Sequence, residues 1–157
     1  MRSDKAARKD EREMSNILSG RFKNSPCRLQ VECYPKTAEV KVTLLPVEGS
    51  VPITLTQNLG QGMPLYQAFL SDDLLDLNDS GFMEFMEENG LGYIVDYKRY
   101  DHDAFTGHPR RLAAVFQFNR AALQHFDPIG CQRFERHYAR RQFKMRHAKK
   151  TACPVRA

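Results

Sequence analysis

Apolar and polar residues alternate in short runs along the first part of the chain. Apolar residues occupy every second position over 29–33 and again over 38–44. A period of two is typical of a strand with one buried face. The short link at 34–37 predicts an antiparallel hairpin, and the residues 53–57 predict a shorter third strand.

The period changes in the middle of the chain. Pro64 suits a first helical turn, and the apolar residues after it are spaced for one helical face: Leu65, Phe69, Leu70 and Leu74. A second helix is predicted over 80–89, and Gly90 is expected to end it.

Two further strands follow these predicted helices. Tyr93, Val95 and Tyr97 alternate with polar neighbours and predict a fourth strand. A fifth strand is predicted over 111–118, and the connecting residues 101–109 are expected to form a loop. The fifth strand would turn four apolar residues to one face: Leu112, Ala114, Phe116 and Phe118.

The end of the chain predicts helices. Asn119 can cap a short helix over 120–126, and Asp127 followed by Pro128 predicts the start of a long helix to residue 150. At about 1.5 Å per residue this helix would be about 35 Å long. The predicted fold is α+β, with the order β-β-β-α-α-β-β-α. A mostly antiparallel sheet of four or five strands would be packed by helices on one side.

The pattern also predicts how the chain divides. Residues 1–25 would form a loosely held polar arm with a helix over 3–18, because this stretch has few apolar positions. Residues 26–150 would form one α+β domain that includes the basic helix 127–150. Residues 151–157 would form a disordered tail.

Composition excludes several classes of protein. The chain has 157 residues and 41% hydrophobic residues, which suits one ordinary domain. No apolar run approaches the roughly 20 residues of a membrane span, and the first 20 residues lack the apolar core of a secretory signal. We therefore expect a cytoplasmic protein that does not contact membranes. Its oligomeric state is left open, although an exposed strand edge would allow two copies to pair.

Four cysteines are present: Cys27, Cys33, Cys131 and Cys153. Without a secretion signal, reduced thiols are expected rather than disulfides, with Cys33 and Cys131 helping to fill the core. Their spacing does not match a zinc site. We expect no metal and no cofactor.

Charge is distributed unevenly along the chain. Residues 26–108 carry a net charge of −8, whereas residues 109–157 carry +10. The predicted C-terminal helix has an aromatic face and a basic face, which indicates contact with phosphates. We predict a small non-enzymatic regulator that binds nucleic acid or a nucleoprotein complex through this helix. The candidate contacts are Arg110, Arg111, Arg133, Arg136, Arg140, Arg141, Lys144, Arg146, Lys149 and Lys150.

An acidic stretch supports an alternative hypothesis. Seven carboxylates lie within seventeen residues and would suit a surface that binds a basic protein: Asp72, Asp73, Asp76, Asp79, Glu84, Glu87 and Glu88. The protein would then be an inhibitor or adaptor of a larger machine that processes nucleic acid. A solvated helix face would account for the same pattern without a partner.

A third hypothesis is a small nuclease-like enzyme. Asp101, His102, Asp103 and His108 are the residues on which acid–base or metal chemistry could be argued. The chain has no phosphate-binding glycine loop, no zinc-protease helix and no Gly-x-Ser-x-Gly motif. We therefore assign no catalytic residue. Most of the strand aromatics are expected in the core, rather than exposed for base stacking: Tyr34, Tyr93, Tyr97, Tyr100, Phe116 and Phe118.

Overall fold

The strands form two antiparallel sheets. The computed structural model of the chain describes residues 16–22, 25–48, 51–72, 81–102, 104–107 and 109–152. The first sheet has the order β1-β2-β3 and the second β4-β5-β7-β6. The strands are β1 (Cys27–Cys33), β2 (Val40–Pro46), β3 (Ile53–Thr54), β4 (Thr56–Gln57), β5 (Gln67–Leu70), β6 (Gly92–His102) and β7 (Pro109–Phe118).

Three helices are found in the described ranges: α1 (Phe82–Glu88), α2 (Arg120–Phe126) and α3 (Pro128–Ala152). The α+β class, the antiparallel pairing and the long last helix are therefore confirmed. The expectation of one sheet with four or five strands is wrong. None of the described helices is long and apolar enough to cross a membrane.

Leu55 explains why there are two sheets. The N–H of Leu55 donates to the carbonyl of Val42 in the first sheet at 2.8 Å. The carbonyl of Leu55 accepts from the N–H of Ser71, just after β5, at 2.8 Å. The predicted third strand is therefore split at this buried residue into β3 and β4, which belong to different sheets.

The helix predicted from Pro64 is wrong, because this segment enters strand β5. Pro64 accepts a hydrogen bond from the N–H of Gln67 at 3.0 Å, and Tyr66 between them has a left-handed φ of 61°, which ends any helix. The three apolar residues after Gln67 are buried on both sides of the sheet, in the order Ala68, Phe69, Leu70. A continuous apolar run of this kind cannot be told from a buried helix by period. Leu74, which was expected on the same helical face, lies outside the described residues.

A β-bulge changes the faces of the β6–β7 hairpin. Ile94 pairs with Phe116 and Asp96 with Val115, so Val95 is the extra residue. Because a bulge reverses the side on which later residues lie, Tyr93 shares a face with Gln117, whereas Tyr97 shares the opposite face with Ala114. The prediction that Tyr93 and Tyr97 lie on one face is therefore wrong.

The same hairpin is longer than predicted. Strand β6 extends to His102 and β7 begins at Pro109. The connection between them is therefore shorter than the loop expected over 101–109. Its far end extends beyond the core, and Leu112, expected on the buried face, is 52% exposed.

Two residues that precede β1 also belong to the main core. Leu18 and Phe22 are buried, and the Phe22 ring contacts Phe82 and Phe85 of α1 at centroid distances of 5.9 and 5.5 Å. Residues 16–18 are not helical, and the rest of the helix predicted over 3–18 lies outside the described residues. The cysteines at 27, 33 and 131 are free thiols, and all three contact the main core. Cys153 lies outside the described residues.

Candidate nucleic-acid interface

Asp127 fixes the start of α3 to the first sheet. One carboxylate oxygen, Oδ1, accepts from the N–H of Gly130 at 3.0 Å, which caps the helix. The other, Oδ2, accepts from the N–H of Val31 in β1 at 2.8 Å. The predicted N-cap role of Asp127 is confirmed, and the same side chain also sets the position of the helix on the sheet.

The first half of α3 packs on the core through Cys131, Phe134 and Tyr138. The Phe134 ring meets Tyr66 edge-on at a centroid distance of 5.0 Å. Met145 lies on the same side of α3 by helical spacing, but it is 47% exposed. The packing face therefore ends before Met145, and residues 143–147 are all exposed. This part of the helix therefore does not pack on the domain.

The single acidic residue of α3, Glu135, is bound to the neighbouring helix. Its Oε1 accepts from Nε of Arg120 in α2 at 2.6 Å. The side chain of Glu135 is 25% exposed. The only negative charge of α3 is therefore paired at the helix–helix contact and is removed from the basic face.

The basic stripe of α3 consists of Arg133, Arg136, Arg140 and Lys144. At about 100° per residue these side chains fall within roughly 80° of one another, and their centre lies roughly 150° from the packing face. All four are exposed. No ion pair joins them to an acidic residue in the described part of the chain. The stripe spans about 16 Å along the axis and presents four cations to one side of the molecule.

The other predicted contacts are not brought together with the stripe. Arg141 is half-buried and Arg146 is exposed, and each lies roughly 100° or more around the helix from the centre of the stripe. Lys149 and Lys150 lie in the last turns of α3, and Arg110 lies in β7; for these three the structure describes the backbone alone. Cations in a last turn also stabilise the negative end of the helix dipole.

Phe143 is a neighbour of the stripe that the sequence reasoning missed. Its ring is 63% exposed and lies roughly 65° from the stripe's centre, and it meets the His147 ring edge-on at 4.2 Å. The spacing of Phe143 from Arg136, Arg140 and His147 would have revealed this position. An exposed ring beside cations can stack on a base.

Arg111 is a candidate nucleic-acid contact and Asp72 belongs to the candidate acidic surface, but the two side chains bind each other. Nη1 of Arg111 donates to Oδ2 of Asp72 at 3.3 Å, and the Tyr100 hydroxyl donates to the same oxygen. Gln57 donates to Oδ1 at 2.9 Å. Burial tends to raise the pKa of Asp72, but the hydrogen bonds from Tyr100, Gln57 and Arg111 outweigh it and lower that pKa below its usual value. This network joins β4, β6 and β7 and accounts for both charges without a partner.

The rest of the acidic stretch is divided. Glu84, Glu87 and Glu88 lie on α1 and are exposed. Asp73, Asp76 and Asp79 lie outside the described residues. The acidic surface that the structure describes is therefore reduced to three glutamates on one short helix.

A cleft of about 560 Å³ opens between the start of β6 and the helices. Its charged lining residues are Glu87 and Arg120, and Arg120 is already bound to Glu135. Tyr66 also lines the cleft and is only 2% exposed. No described residue bonds its hydroxyl, and burial raises the pKa of Tyr66.

The residues of the nuclease hypothesis are only partly described. His102 ends β6, where its backbone pairs with Pro109, and its side chain is not described. Asp103 and His108 lie outside the described residues. Among the described residues, no three side chains of the metal-binding types come together.

The strand aromatics divide between core and surface. Phe116 and Phe118 are buried as expected, and Tyr34 is half-buried with its hydroxyl bonded to Thr56. Tyr93 and Tyr97 are instead 63% and 53% exposed, so their expected core position is wrong. The bulge puts them on opposite faces, which prevents them from forming one stacking platform.

Comparison with protein-family models, with curated proteins and with solved structures gives no match to this chain.

Proposed function

We propose that this protein is a non-enzymatic regulator that binds nucleic acid, alone or within a nucleoprotein complex, through the basic stripe of α3. The observation that carries the proposal is the stripe itself. Arg133, Arg136, Arg140 and Lys144 are exposed and without an acidic partner among the described residues, on the side of α3 away from the core. The helix is held in place by Asp127 and by its packing face.

The geometry suits phosphate contact. A helix with its side chains is about 10–12 Å wide and enters the major groove of duplex DNA, which is about 12 Å wide. The exposed residues 143–147 of α3 can approach a nucleic acid without moving the domain. Phosphate contacts of this kind position a protein but do not select a sequence. The proposed role is therefore general affinity, with any sequence preference supplied elsewhere in a complex.

The test measures affinity for a labelled duplex and a labelled single strand, as DNA and as RNA, at several salt concentrations. Four phosphate contacts would give a slope of log affinity against log salt of about −3 to −4. Replacing Arg136, Arg140 and Lys144 by Glu should abolish binding, because three attractive contacts become repulsive.

A smaller pair of variants controls for net charge. Arg136→Glu with Arg140→Glu lowers the charge as much as Lys36→Glu with Arg99→Glu, and all four side chains are exposed. The first pair should weaken binding at least about tenfold more than the second. Equal losses would mean that only net charge matters and would contradict a defined interface.

Absence of binding at low salt would overturn the proposal. The inhibitor or adaptor hypothesis would then be tested by recovering partners from nuclease-treated lysate with the wild-type chain. The Glu84→Gln, Glu87→Gln, Glu88→Gln variant would be the comparison.

A further inference from the structure

Strand β6 lies at the edge of the second sheet. It pairs with β7 on one side, and no described strand pairs with its other side. It is 11 residues long, and Tyr93, Val95 and Tyr97 along it are all more than 40% exposed. A long edge with exposed apolar side chains is a ready template for pairing with another strand.

The outward direction of the edge can be read from Tyr97. Its N–H donates to Oδ1 of the adjacent Asp96 at 2.8 Å rather than to β7. Because backbone groups alternate between the two sides of a strand, the N–H and C=O of Arg99 also point to the free edge. Asp96 therefore protects this edge in the single chain.

The charges along the edge are complementary to themselves. In an antiparallel pairing of two copies centred on Tyr97, Asp96 of each copy lies opposite Lys98 of the other, and the two Tyr97 rings face each other. A pairing centred on Arg99 would instead set two arginines opposite each other, which is unfavourable. Asp96, Tyr97, Lys98 and Arg99 are all exposed.

We propose that the outer edge of β6 binds a second copy of this chain, in an antiparallel pairing centred on Tyr97 that joins two four-stranded sheets. On pairing, the Tyr97 N–H exchanges Asp96 for the Tyr97 carbonyl of the second copy. The Asp96 carboxylate is then available to Lys98 of that copy. The bulge at Val95 limits the regular ladder to a few residues on each side of Tyr97, so the dimer is expected to dissociate on dilution. This inference does not depend on nucleic-acid binding.

The test uses the full chain in sedimentation equilibrium, from about 1 to about 200 µM. The wild-type chain should form a dimer that dissociates on dilution. Asp96→Lys and Lys98→Asp should each weaken dimerisation at least about tenfold, because each sets like charges opposite each other. Both side chains are exposed, so circular dichroism should show that each variant is folded like the wild type.

Charge exchange makes the test specific to this pairing. An equimolar mixture of the Asp96→Lys and Lys98→Asp chains should form a heterodimer, and the double variant carrying both changes should dimerise again. A monomeric wild-type chain at the highest concentration would overturn the proposal. Single variants that dimerise like the wild type, or a mixture that stays monomeric, would also overturn it.

Discussion

The backbone N–H of Val31 donates to Oδ2 of Asp127 at 2.8 Å, across 96 positions of the chain. The same carboxylate caps α3 through Gly130. One side chain therefore joins the middle of β1 to the first turn of the helix that carries the basic stripe. The direction in which the stripe faces depends on this bond as well as on the apolar packing of Cys131 and Phe134.

Asp127→Ala should lower the free energy of unfolding by about 2 kcal/mol, because it removes the cap and leaves the Val31 N–H without its acceptor. Urea unfolding at neutral pH measures the change. Gln132→Ala, at an exposed position in the same helix, is the control and should change stability by less than about 0.5 kcal/mol. Equal effects of the two variants would contradict the anchoring role.

Gly130→Ala should also destabilise the protein, although alanine favours helices by about 1 kcal/mol over glycine. A Cβ at this position would lie 2.4 Å from the carbonyl oxygen of Val31 and 2.1 Å from Oδ2 of Asp127. The backbone of β1 cannot yield without disturbing the sheet. The sign of the change in urea unfolding is decisive: a more stable variant would mean that α3 does not lie this close to β1.

Asp72→Asn should lower the free energy of unfolding at pH 7 by about 1 kcal/mol, since the charged hydrogen bonds from Tyr100 and Arg111 are weakened. The pKa of Asp72 is lowered in the folded protein, so its contribution is complete above the ordinary carboxylate pKa of about 4. It is lost as the pH falls below that value through the lowered pKa. The difference between wild type and variant should therefore vanish in acid.

The matched control for this prediction is Glu84→Gln, at an exposed carboxylate of α1. Urea unfolding from pH 7 down to about pH 2.5 would follow both variants. A difference in stability between Asp72→Asn and wild type that persists unchanged in acid would contradict the prediction. It would show that packing and uncharged hydrogen bonds, rather than the charge of Asp72, stabilise the network.

Glu39→Gln should stabilise the protein at pH 7 by about 1 kcal/mol. Glu39 is only 2% exposed, and its Oε1 has no hydrogen-bond partner among the described residues. Burial raises the pKa of Glu39, against the hydrogen bond from Thr37, which lowers it. The charged form is therefore unfavourable in the folded state at neutral pH, and the wild type should recover stability as the pH falls through this raised pKa.

Unfolding at pH 7 and near pH 4.5 measures the Glu39 effect. The advantage of Glu39→Gln should be larger at pH 7 than in acid, because the wild type becomes protonated there. A variant less stable than wild type at pH 7 would show that the Glu39 charge is stabilised in the fold.

Phe143→Ala should weaken nucleic-acid binding by about tenfold if the exposed ring stacks on a base or contacts the backbone beside the stripe. The ring is 63% exposed, so the thermal midpoint should stay close to that of the wild type. Met83→Ala, at a 42% exposed position on α1, is the control and should leave binding unchanged. Unchanged affinity of Phe143→Ala would limit the interface to the charges.

Local patterns determined those elements whose environment is uniform along their length. Buried and partly exposed residues alternate over most of the hairpin of β1 and β2, so its period of two predicts it. Helices α2 and α3 begin at Asn119 and at Asp127–Pro128, which cap and start helices through local hydrogen bonds and a fixed φ. The basic stripe follows in the same way, because helical spacing alone places its four residues on one side.

The tertiary structure decided what depends on contacts distant in sequence. Strand β5 is buried on both faces, which hides its period, and the split at Leu55 depends on its bonds to Val42 and Ser71. The bulge at Val95 puts Tyr97 on the opposite face of β6 from Tyr93, and composition carries no trace of it. Arg111 and Asp72 pair with each other although they lie 39 positions apart. Charge counted along the sequence instead assigns each of them to an external partner. Sequence thus determined which side of α3 is basic, whereas only the fold decided which charges remain available to a ligand.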